Sequence, residues 1–319
     1  MTMVTESHKG AEASALAHSR DYCRELTKRE ARNFYYGLKL LPEPKRSAMY
    51  ALYGYMRLVD DIADDDGDGR SPAQRRAELD QWEAATRQAI TAAHGAGELP
   101  VAGQGAGAIA VRGSHVWPAF AEMVRQYGVP EKVFADMIAG QRQDLEPVTM
   151  ADFAALHDYC YRVASVVGVA SLYVFGFKGG EETLNLGVDR GIAFQLTNIL
   201  RDLREDAGPP RGRCYLPQDE LASFGVTAQS VARGEAGSRF VDLMAFQVRR
   251  AQEYYERSAP LESRVQPDAR PTLSAMTEIY HGILQRIAAR PEAVLHGRVR
   301  LSAWAKLRIG WKAMRTRHG

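Results

Sequence analysis

Apolar residues recur at α-helical spacing along most of the chain. Between residues 46 and 66, five apolar or aromatic residues lie at offsets of 0, 3, 4, 7 and 10, the spacing of one helical face: Met49, Leu52, Tyr53, Met56 and Val59. Similar patterns bounded by Gly and Pro predict helices over 19–38, 72–93, 116–128, 130–145, 150–177, 184–206, 238–260, 267–289 and 301–316, with a short helix or turn over 227–235 and a loop over 211–220. Because almost no period-2 alternation lies between turn signals, the sequence predicts an all-α fold in a single domain.

The chain has one low-complexity stretch. Six glycines lie within residues 94–114, which we predict to be a flexible surface loop because the helical pattern resumes at 116. We predict a flexible N-terminal tail over 1–18 and one folded domain over 19–319. The first residues contain no apolar core of the kind that marks a signal peptide, so none is expected.

Composition narrows the function classes. Lys plus Arg total 41 and Asp plus Glu total 39, a net charge of +2 that does not favour a nucleic-acid-binding protein. The three cysteines are far apart and form neither a disulfide framework nor a zinc motif. The longest apolar stretch, 163–177, is too short and too interrupted by Gly and Ser to cross a bilayer. These features predict a cytoplasmic protein.

A first acidic cluster closes the helix predicted over 46–66. In RLVDDIADDD (57–66), Asp60 and Asp64 lie one helical turn apart on one face, and Asp61 and Asp65 repeat this on the neighbouring face. Carboxylates backed by an apolar face suit a hard cation such as Mg²⁺ or Ca²⁺, whereas the alternative is a solvated acidic helix end. An EF-hand is excluded because its twelfth position would be Arg75 instead of Glu.

A second acidic cluster lies in QLTNILRDLRED (195–206). Asn198, Asp202 and Asp206 are spaced by four, and Gln195 extends their face. Two such helices could face each other across a cavity and hold several Mg²⁺ ions around a diphosphate, since Mg²⁺ takes few carboxylates and completes its shell with phosphate oxygens and water. Arg57 and Arg201 lie close to the clusters and either bind phosphate or form surface ion pairs.

Four stretches resemble the squalene/phytoene synthase family of head-to-head prenyl-diphosphate synthases. They are YALYGYMRLVDDIAD (50–64), YCYRVASVVG (159–168), QLTNILRDLRED (195–206) and RGRCYLPQDEL (211–221), and the similarity covers about residues 19–310. The resemblance implies a class I isoprenoid-synthase-like helical bundle around a central cavity.

The resemblance also implies residue roles. It assigns metal binding to Asp60, Asp64, Asn198, Asp202 and Asp206, and the four aspartates join two tyrosines of the reaction centre, Tyr53 and Tyr159, as the expected catalytic set. It assigns diphosphate contacts to Arg57, Gln195, Asn198, Arg201, Arg213, Tyr280 and Arg298. The family's Ser-x-Ser-Phe stretch is replaced here by Ala31-Arg32-Asn33-Phe34.

The implied reaction is the Mg²⁺-dependent condensation of two prenyl diphosphates through a cyclopropyl diphosphate, with Mn²⁺ as an alternative cation. Arg162 and Ser165 make the second stretch nearer the bacterial presqualene diphosphate type, so we expect two farnesyl diphosphates and a C30 product such as presqualene diphosphate or squalene. The alternatives are two geranylgeranyl diphosphates giving phytoene, a class I terpene cyclase, and a non-enzymatic assembly factor. The sequence leaves the use of NADPH and the oligomeric state open.

The C-terminal segment is basic and amphipathic. Residues 298–318 contain seven Lys or Arg and no acidic residue, and four large apolar side chains share one helical face: Trp304, Leu307, Trp311 and Met314. Two interpretations remain: peripheral contact with a membrane surface, or a final helix docked on the core with a solvated basic side.

Overall fold

The computed structural model describes residues 2–31, 33–64, 68–100, 115–145, 149–208, 212–235 and 237–315. Within these ranges the chain is helical, has no β-strand and has only two isolated backbone bridges, so the all-α prediction is confirmed. Most of the predicted glycine-rich loop, 101–114, lies outside the described residues, as do Asp65 and Asp66.

Fifteen α-helices are numbered in chain order over the described residues. They are α1 (Thr2–Glu30), α2 (Asn33–Leu38), α3 (Lys45–Ala63), α4 (Pro72–Ala93), α5 (Trp117–Tyr127), α6 (Glu131–Gln143), α7 (Phe153–Cys160), α8 (Val166–Phe175), α9 (Gly180–Ala207), α10 (Gln218–Phe224), α11 (Ala228–Ala232), α12 (Ser238–Arg257), α13 (Leu261–Arg264), α14 (Arg270–Ala289) and α15 (Ala303–Arg315). A π turn, Tyr161–Ser165, separates α7 from α8, and a 3₁₀ turn, Pro291–Leu295, follows α14.

The chain divides into two compact units. The first contains residues 1–145 and 173–175, and the second contains 146–172 and 176–319. The first unit has an aromatic core to which α3, α4, α5 and α6 contribute: Tyr55, Trp82, Trp117, Phe120 and Phe134. Tyr55 stacks on Phe120 at 4.5 Å between ring centroids, and its hydroxyl lies 3.0 Å from Thr86 Oγ1. This core fixes the helix that carries the first acidic cluster.

The second unit is built on α9. The apolar face predicted for this helix is buried in the core: Leu196, Ile199, Leu200 and Leu203. Arg190, also buried, joins α9 to its neighbours, because its guanidinium donates to Ser258 Oγ at 2.9 Å and to Glu262 Oε1 at 2.6 Å. The helix that carries the second acidic cluster is therefore held by its apolar side and by a buried ion pair.

Two predicted segments differ in secondary structure from their description above. The segment predicted as a flexible tail, 1–18, belongs to α1 from Thr2 onward, because residues 11–18 (AEASALAH) are rich in alanine, the strongest helix former. Its flexibility stays a prediction. Ser19 is the first buried side chain among those described in α1. The helix predicted over 150–177 begins instead at Phe153, where the Asp152 side chain accepts from Ala155 N, and is interrupted by the π turn.

Candidate active site

The predicted site residues divide between the two units. Tyr53, Arg57, Asp60 and Asp64 belong to the first. The second contains Tyr159, Gln195, Asn198, Arg201, Asp202, Asp206, Arg213, Tyr280 and Arg298. The opposition of the two acidic faces across a cavity stays a prediction.

In the first unit, Asp60 is a partly buried carboxylate beside other acids. Its Oδ1 accepts a hydrogen bond from Gln141 Nε2 of α6 at 2.6 Å. Burial, followed by the nearby charge of Asp64, raises the pKa of Asp60 to about 7. A buried carboxylate repelled by its neighbour is stabilised by any cation that binds there.

The C-terminal end of α3 is fixed by two arginines, of which the sequence analysis named only Arg75, and only to exclude an EF-hand. Arg75, 3% exposed, donates to Ile62 O at 3.1 Å, to Asp64 O and to Asp68 Oδ1 at 2.7 Å. Arg70 donates to Asp61 O at 3.2 Å. These bonds satisfy carbonyls that a helix end leaves without partners, so the Asp60–Asp64 turn is held in one conformation.

Arg57 lies on the same helix. Its Nη2 is 2.5 Å from Asp61 Oδ1, whereas its Nε is buried and has no hydrogen-bond partner among the described residues. A guanidinium with one buried donor unused suits an anionic oxygen. Tyr53 lies one turn earlier on α3. Burial raises the pKa of its phenol to about 12, and the nearby charge of Arg57 partly opposes this rise.

In the second unit, the Asp202 carboxylate is held by two arginines. Arg201 Nε and Nη2 lie 2.8 Å and 2.5 Å from Oδ1 and Oδ2. Arg298 Nε and Nη2 approach the same two oxygens at 2.8 Å and 3.0 Å. Oδ2 therefore accepts two charge-assisted hydrogen bonds, whereas Oδ1 accepts one and forms an ion pair with Arg298 Nε.

The polar face of α9 continues through Asn198, and Tyr280 of α14 lies beside it. The Asn198 amide donates to Gln195 Oε1 at 3.3 Å, and its Oδ1 is buried with no hydrogen-bond partner among the described residues. Tyr280 stacks on Phe194 at 4.5 Å, and burial raises its pKa, partly opposed by Arg201 and by a hydrogen bond from Asn198. Gln195, Asn198, Arg201, Asp202, Tyr280 and Arg298 thus form one continuous polar cluster.

A cavity of about 450 Å³ lies beside this cluster, within the second unit. Its lining contains three arginines and one acidic residue: Arg201, Arg204, Arg298 and Glu205. Arg213 follows the end of α9, and its backbone N–H donates to Asp206 O at 2.7 Å. This side of the second unit is suited to an anionic group such as a phosphate.

The π turn packs against α9 at a glycine. A Cβ at Gly191 would lie 2.4 Å from Ser165 Cα, and the Ser165 hydroxyl donates to Val188 O at 2.8 Å. Directly before the turn, Tyr159 is buried and stacks on Tyr215 at 5.0 Å. Turns of π geometry occur often at functional sites, and this one separates Tyr159 from α8.

The donor atoms in each unit fit a hard divalent cation. They are carboxylates one helical turn apart, joined in the second unit by the buried Asn198 Oδ1. Among the residues that the structure describes, no three His, Cys, Asp or Glu side chains gather into a complete metal site. Mg²⁺ commonly takes one or two carboxylates and fills its other positions with water and substrate phosphate.

Several contributors were not found from the sequence. Gln141, Arg70, Arg75 and Tyr215 were given no role in the site, although Tyr215 lies in the fourth family-like stretch (211–221). Each acts through a contact with a residue 9 to 81 positions away along the chain. Arg32 and the Asn33 side chain, where the family's serine pattern is absent, lie outside what the structure describes.

The chain belongs to the squalene/phytoene synthase family, whose model matches residues 27–305. Members are prenyltransferases that condense two prenyl diphosphates head to head, and they use a divalent metal to bind the diphosphate. The family assignment predicted from the four stretches is confirmed, and it favours a head-to-head synthase over the terpene cyclase and assembly-factor alternatives.

Two curated relatives are similar over nearly their whole length. A 15-cis-phytoene synthase of Synechococcus elongatus is 34% identical over 310 residues, covering 92% of each chain. A phytoene synthase of Arthrospira platensis is 33% identical over 302 residues, covering 91% of this chain and 90% of the relative. These names favour the phytoene alternative over the C30 product that the sequence led us to expect.

Solved structures share the fold. A dehydrosqualene synthase superposes with a TM-score of 0.77 at 25% identity, covering 95% of this chain and 98% of the other. A squalene synthase from Alicyclobacillus acidocaldarius gives 0.74 at 26% identity, with coverages of 87% and 95%. The predicted isoprenoid-synthase helical fold is confirmed. No helix among the described residues is both long and apolar enough to cross a membrane.

Proposed function

We propose that this enzyme condenses two geranylgeranyl diphosphates into phytoene. The observation that carries the proposal is the 34% identity to a 15-cis-phytoene synthase over 92% of both chains. The polar cluster around Asp202 and the basic cavity beside it support diphosphate binding in the second unit. Our sequence-based preference for farnesyl diphosphate rested on Arg162 and Ser165. Arg162 pairs with Asp158 at 2.9 Å and Ser165 bonds to a backbone carbonyl, local contacts that give no preference for the shorter substrate.

The reaction begins with cleavage of the allylic C1–O bond of one substrate, with diphosphate as the leaving group. Mg²⁺, or Mn²⁺ in its place, would supply charge that stabilises this leaving group. Asp60 and Asp64 would hold such ions in the first unit, and Asn198, Asp202 and Asp206 would hold them in the second. Arg57, Arg201, Arg213 and Arg298 would bind diphosphate oxygens, and Gln195 and Tyr280 would line their site.

The allylic cation is attacked by the C2–C3 double bond of the second substrate, and loss of a proton closes the cyclopropane. Cleavage of the second diphosphate, rearrangement and loss of another proton give phytoene without a reductant. Tyr159 is our candidate for stabilising the allylic cation through its ring face or for assisting proton loss. Tyr53 is our candidate for a second aromatic contact with this allylic cation. The burial of Tyr159 against Tyr215 supports a site from which water is excluded.

The test is an incubation of the purified chain with Mg²⁺ and either farnesyl or geranylgeranyl diphosphate, with and without NADPH, followed by mass spectrometry before and after phosphatase treatment. We expect phytoene from geranylgeranyl diphosphate, independent of NADPH. A C30 hydrocarbon or cyclopropyl alcohol as the main product would replace the proposal with our earlier C15 hypothesis. A cyclic product formed from a single substrate molecule would contradict head-to-head condensation.

A further inference from the structure

The last helix, α15, is attached to the second unit along one side. Ala305 and Ile309 pack against the core, and Ala313 is buried. Lys312 Nζ forms an ion pair with Glu278 Oε1 of α14 at 2.7 Å. Spacings of four place Ala305, Ile309 and Ala313 on one side of the helix, so this side is the docked one.

The large apolar residues of α15 are on the other side. Trp304 is 80% exposed, Leu307 65% and Trp311 57%, and we call these three residues the tryptophan face. The Met314 side chain, predicted to share it, lies outside what the structure describes. The other two tryptophans of the sequence, Trp82 and Trp117, are fully buried in the first unit. The helix therefore combines the two interpretations of the sequence: it is docked, and three of its large apolar side chains are still in contact with solvent.

The surroundings of the tryptophan face are basic. Seven Lys or Arg and no acidic residue lie between positions 298 and 318. Arg308 and Arg315 are exposed beside the face, and the Arg315 guanidinium carbon lies 4.6 Å from the centre of the Trp311 ring. An exposed apolar stripe with indole rings and flanking cations matches the interface of an anionic bilayer, where indoles lie at headgroup level and cations meet lipid phosphates.

We propose that the tryptophan face docks on the surface of an anionic lipid bilayer, with α15 lying in the plane of the interface. A second copy of the chain fits less well, because pairing two such faces brings two sets of positive charges together. The proposal rests on the proposed function in one respect: a C40 hydrocarbon leaves most readily into an apolar phase next to the enzyme.

The first test is flotation of the full-length protein with vesicles of phosphatidylcholine alone or of phosphatidylcholine and phosphatidylglycerol at 3:1. We expect binding to the anionic vesicles that weakens with added salt, and a loss of about tenfold or more in the Trp304→Ser/Leu307→Ser/Trp311→Ser variant. Tyr36→Ser is the matched control, because Tyr36 is 72% exposed on α2 in the first unit. Circular dichroism and melting temperature check that all variants are folded.

The second test uses the tryptophans as probes. Because Trp82 and Trp117 are buried, quenching by brominated lipids is expected to come from Trp304 and Trp311. Trp304→Phe/Trp311→Phe should still float with the vesicles but lose most of the quenching. Equal flotation of wild type and the triple serine variant, or no flotation of wild type with anionic vesicles, would overturn the proposal.

Sedimentation velocity without lipid tests the alternative that the tryptophan face binds a second copy of the chain. A dimer that disappears in the triple serine variant, combined with absence of vesicle binding, would assign the face to a second copy and contradict the proposal. Flotation requires no substrate, so it is independent of which product is made. Product formation in detergent, expected to be equal for wild type and the triple serine variant, tests the proposed function without the membrane.

Discussion

The two acidic clusters have the same spacing in the sequence but lie in different electrostatic surroundings. Asp60 accepts an amide hydrogen bond from Gln141, and its pKa is raised by burial and by Asp64. Asp202 accepts three hydrogen bonds from the guanidinium groups of Arg201 and Arg298, and Arg298 Nε forms a further ion pair with its Oδ1 at 2.8 Å. The first cluster carries charge that its surroundings do not favour, whereas in the second cluster the charge is already compensated.

This difference separates two ways of preparing a carboxylate for a cation. A cation at Asp60 relieves an existing electrostatic cost, so binding and stability are expected to rise together. A cation at Asp202 competes with a guanidinium, because each carboxylate oxygen already has two guanidinium nitrogens within 3.0 Å. Arg298, 40% exposed, is the partner more easily displaced, since the Arg201 side chain is only 12% exposed.

The largest expected effect is on turnover. Asp60→Asn and Asp202→Asn should each lower kcat by about a thousandfold, because either change removes charge that holds the ion at the leaving group, an effect of several kcal/mol. Steady-state assays with geranylgeranyl diphosphate check this, and Asp189→Asn, outside both clusters on α9, is the control. Near-normal turnover in one variant would limit the metal role to the other cluster.

The next effect concerns the end of α3. Arg75→Met should destabilise the protein by about 3 kcal/mol, because it leaves the buried carbonyls of Ile62 and Asp64 without their donor. Urea unfolding measures the change, and Arg76→Met, the neighbour on the exposed side of α4, is the matched control. A change below about 1 kcal/mol, the scale of a surface ion pair, would show that the first cluster does not depend on this arginine.

Stability should respond in opposite directions to loss of charge in the two clusters. Asp60 binds a proton more tightly when folded than when unfolded, so wild-type stability falls as pH rises from about 4 to about 7. The stability of Asp60→Asn relative to wild type should therefore increase across this range. In a buffer containing a chelator, the gain should reach on the order of 1–3 kcal/mol at pH 8. Asp202→Asn should lose about 1–2 kcal/mol because two guanidiniums lose their carboxylate. Denaturant unfolding at pH 5 and pH 8 distinguishes the signs, and two losses would contradict the comparison.

The smallest effect is expected for Arg298. Arg298→Gln should change the free energy of unfolding by less than about 1 kcal/mol, because the ion pair is solvent-exposed on one side. The same change should tighten Mn²⁺ binding about threefold, read from the electron paramagnetic resonance signal of free Mn²⁺, since the ion no longer competes with this guanidinium. Arg300→Gln is the control for net charge. Weaker Mn²⁺ binding in Arg298→Gln would show that Arg298 does not compete for Asp202.

Local signals predicted the parts of the fold that depend on local chemistry. The bounds of α4 were predicted correctly because Ser71 and Pro72 are a helix start signal, and the structure has Ser71 accepting from Gln74 N there. The periodicity of 150–177 could not predict the π turn, since one extra residue in one turn hardly changes an apolar pattern. The sequence also could not predict which side of α15 docks, because small residues such as Ala305 give a weak apolar signal although they allow close packing.

The same limit applies to the candidate site. Spacing alone indicated Asp60, Asp64, Asp202 and Asp206, because residues four apart share a helical face whatever surrounds them. It could not indicate that Gln141 contacts the first cluster or that Arg298 contacts the second, since these contacts span 81 and 96 residues. Substrate length depends on the depth of a packed cavity, which local spacing does not encode.

The π turn makes this part of the chain sensitive to length as well as to composition. Each residue of a helix corresponds to a rotation of about 100°, so removing one residue from 161–165 would restore regular α geometry and turn α7 by roughly that angle relative to α8. Tyr159 would then leave the ring of Tyr215, even though no residue of either partner had changed. We therefore expect this segment to accept conservative substitutions more readily than single-residue deletions, which makes its length a constraint for anyone aligning or recombining such chains.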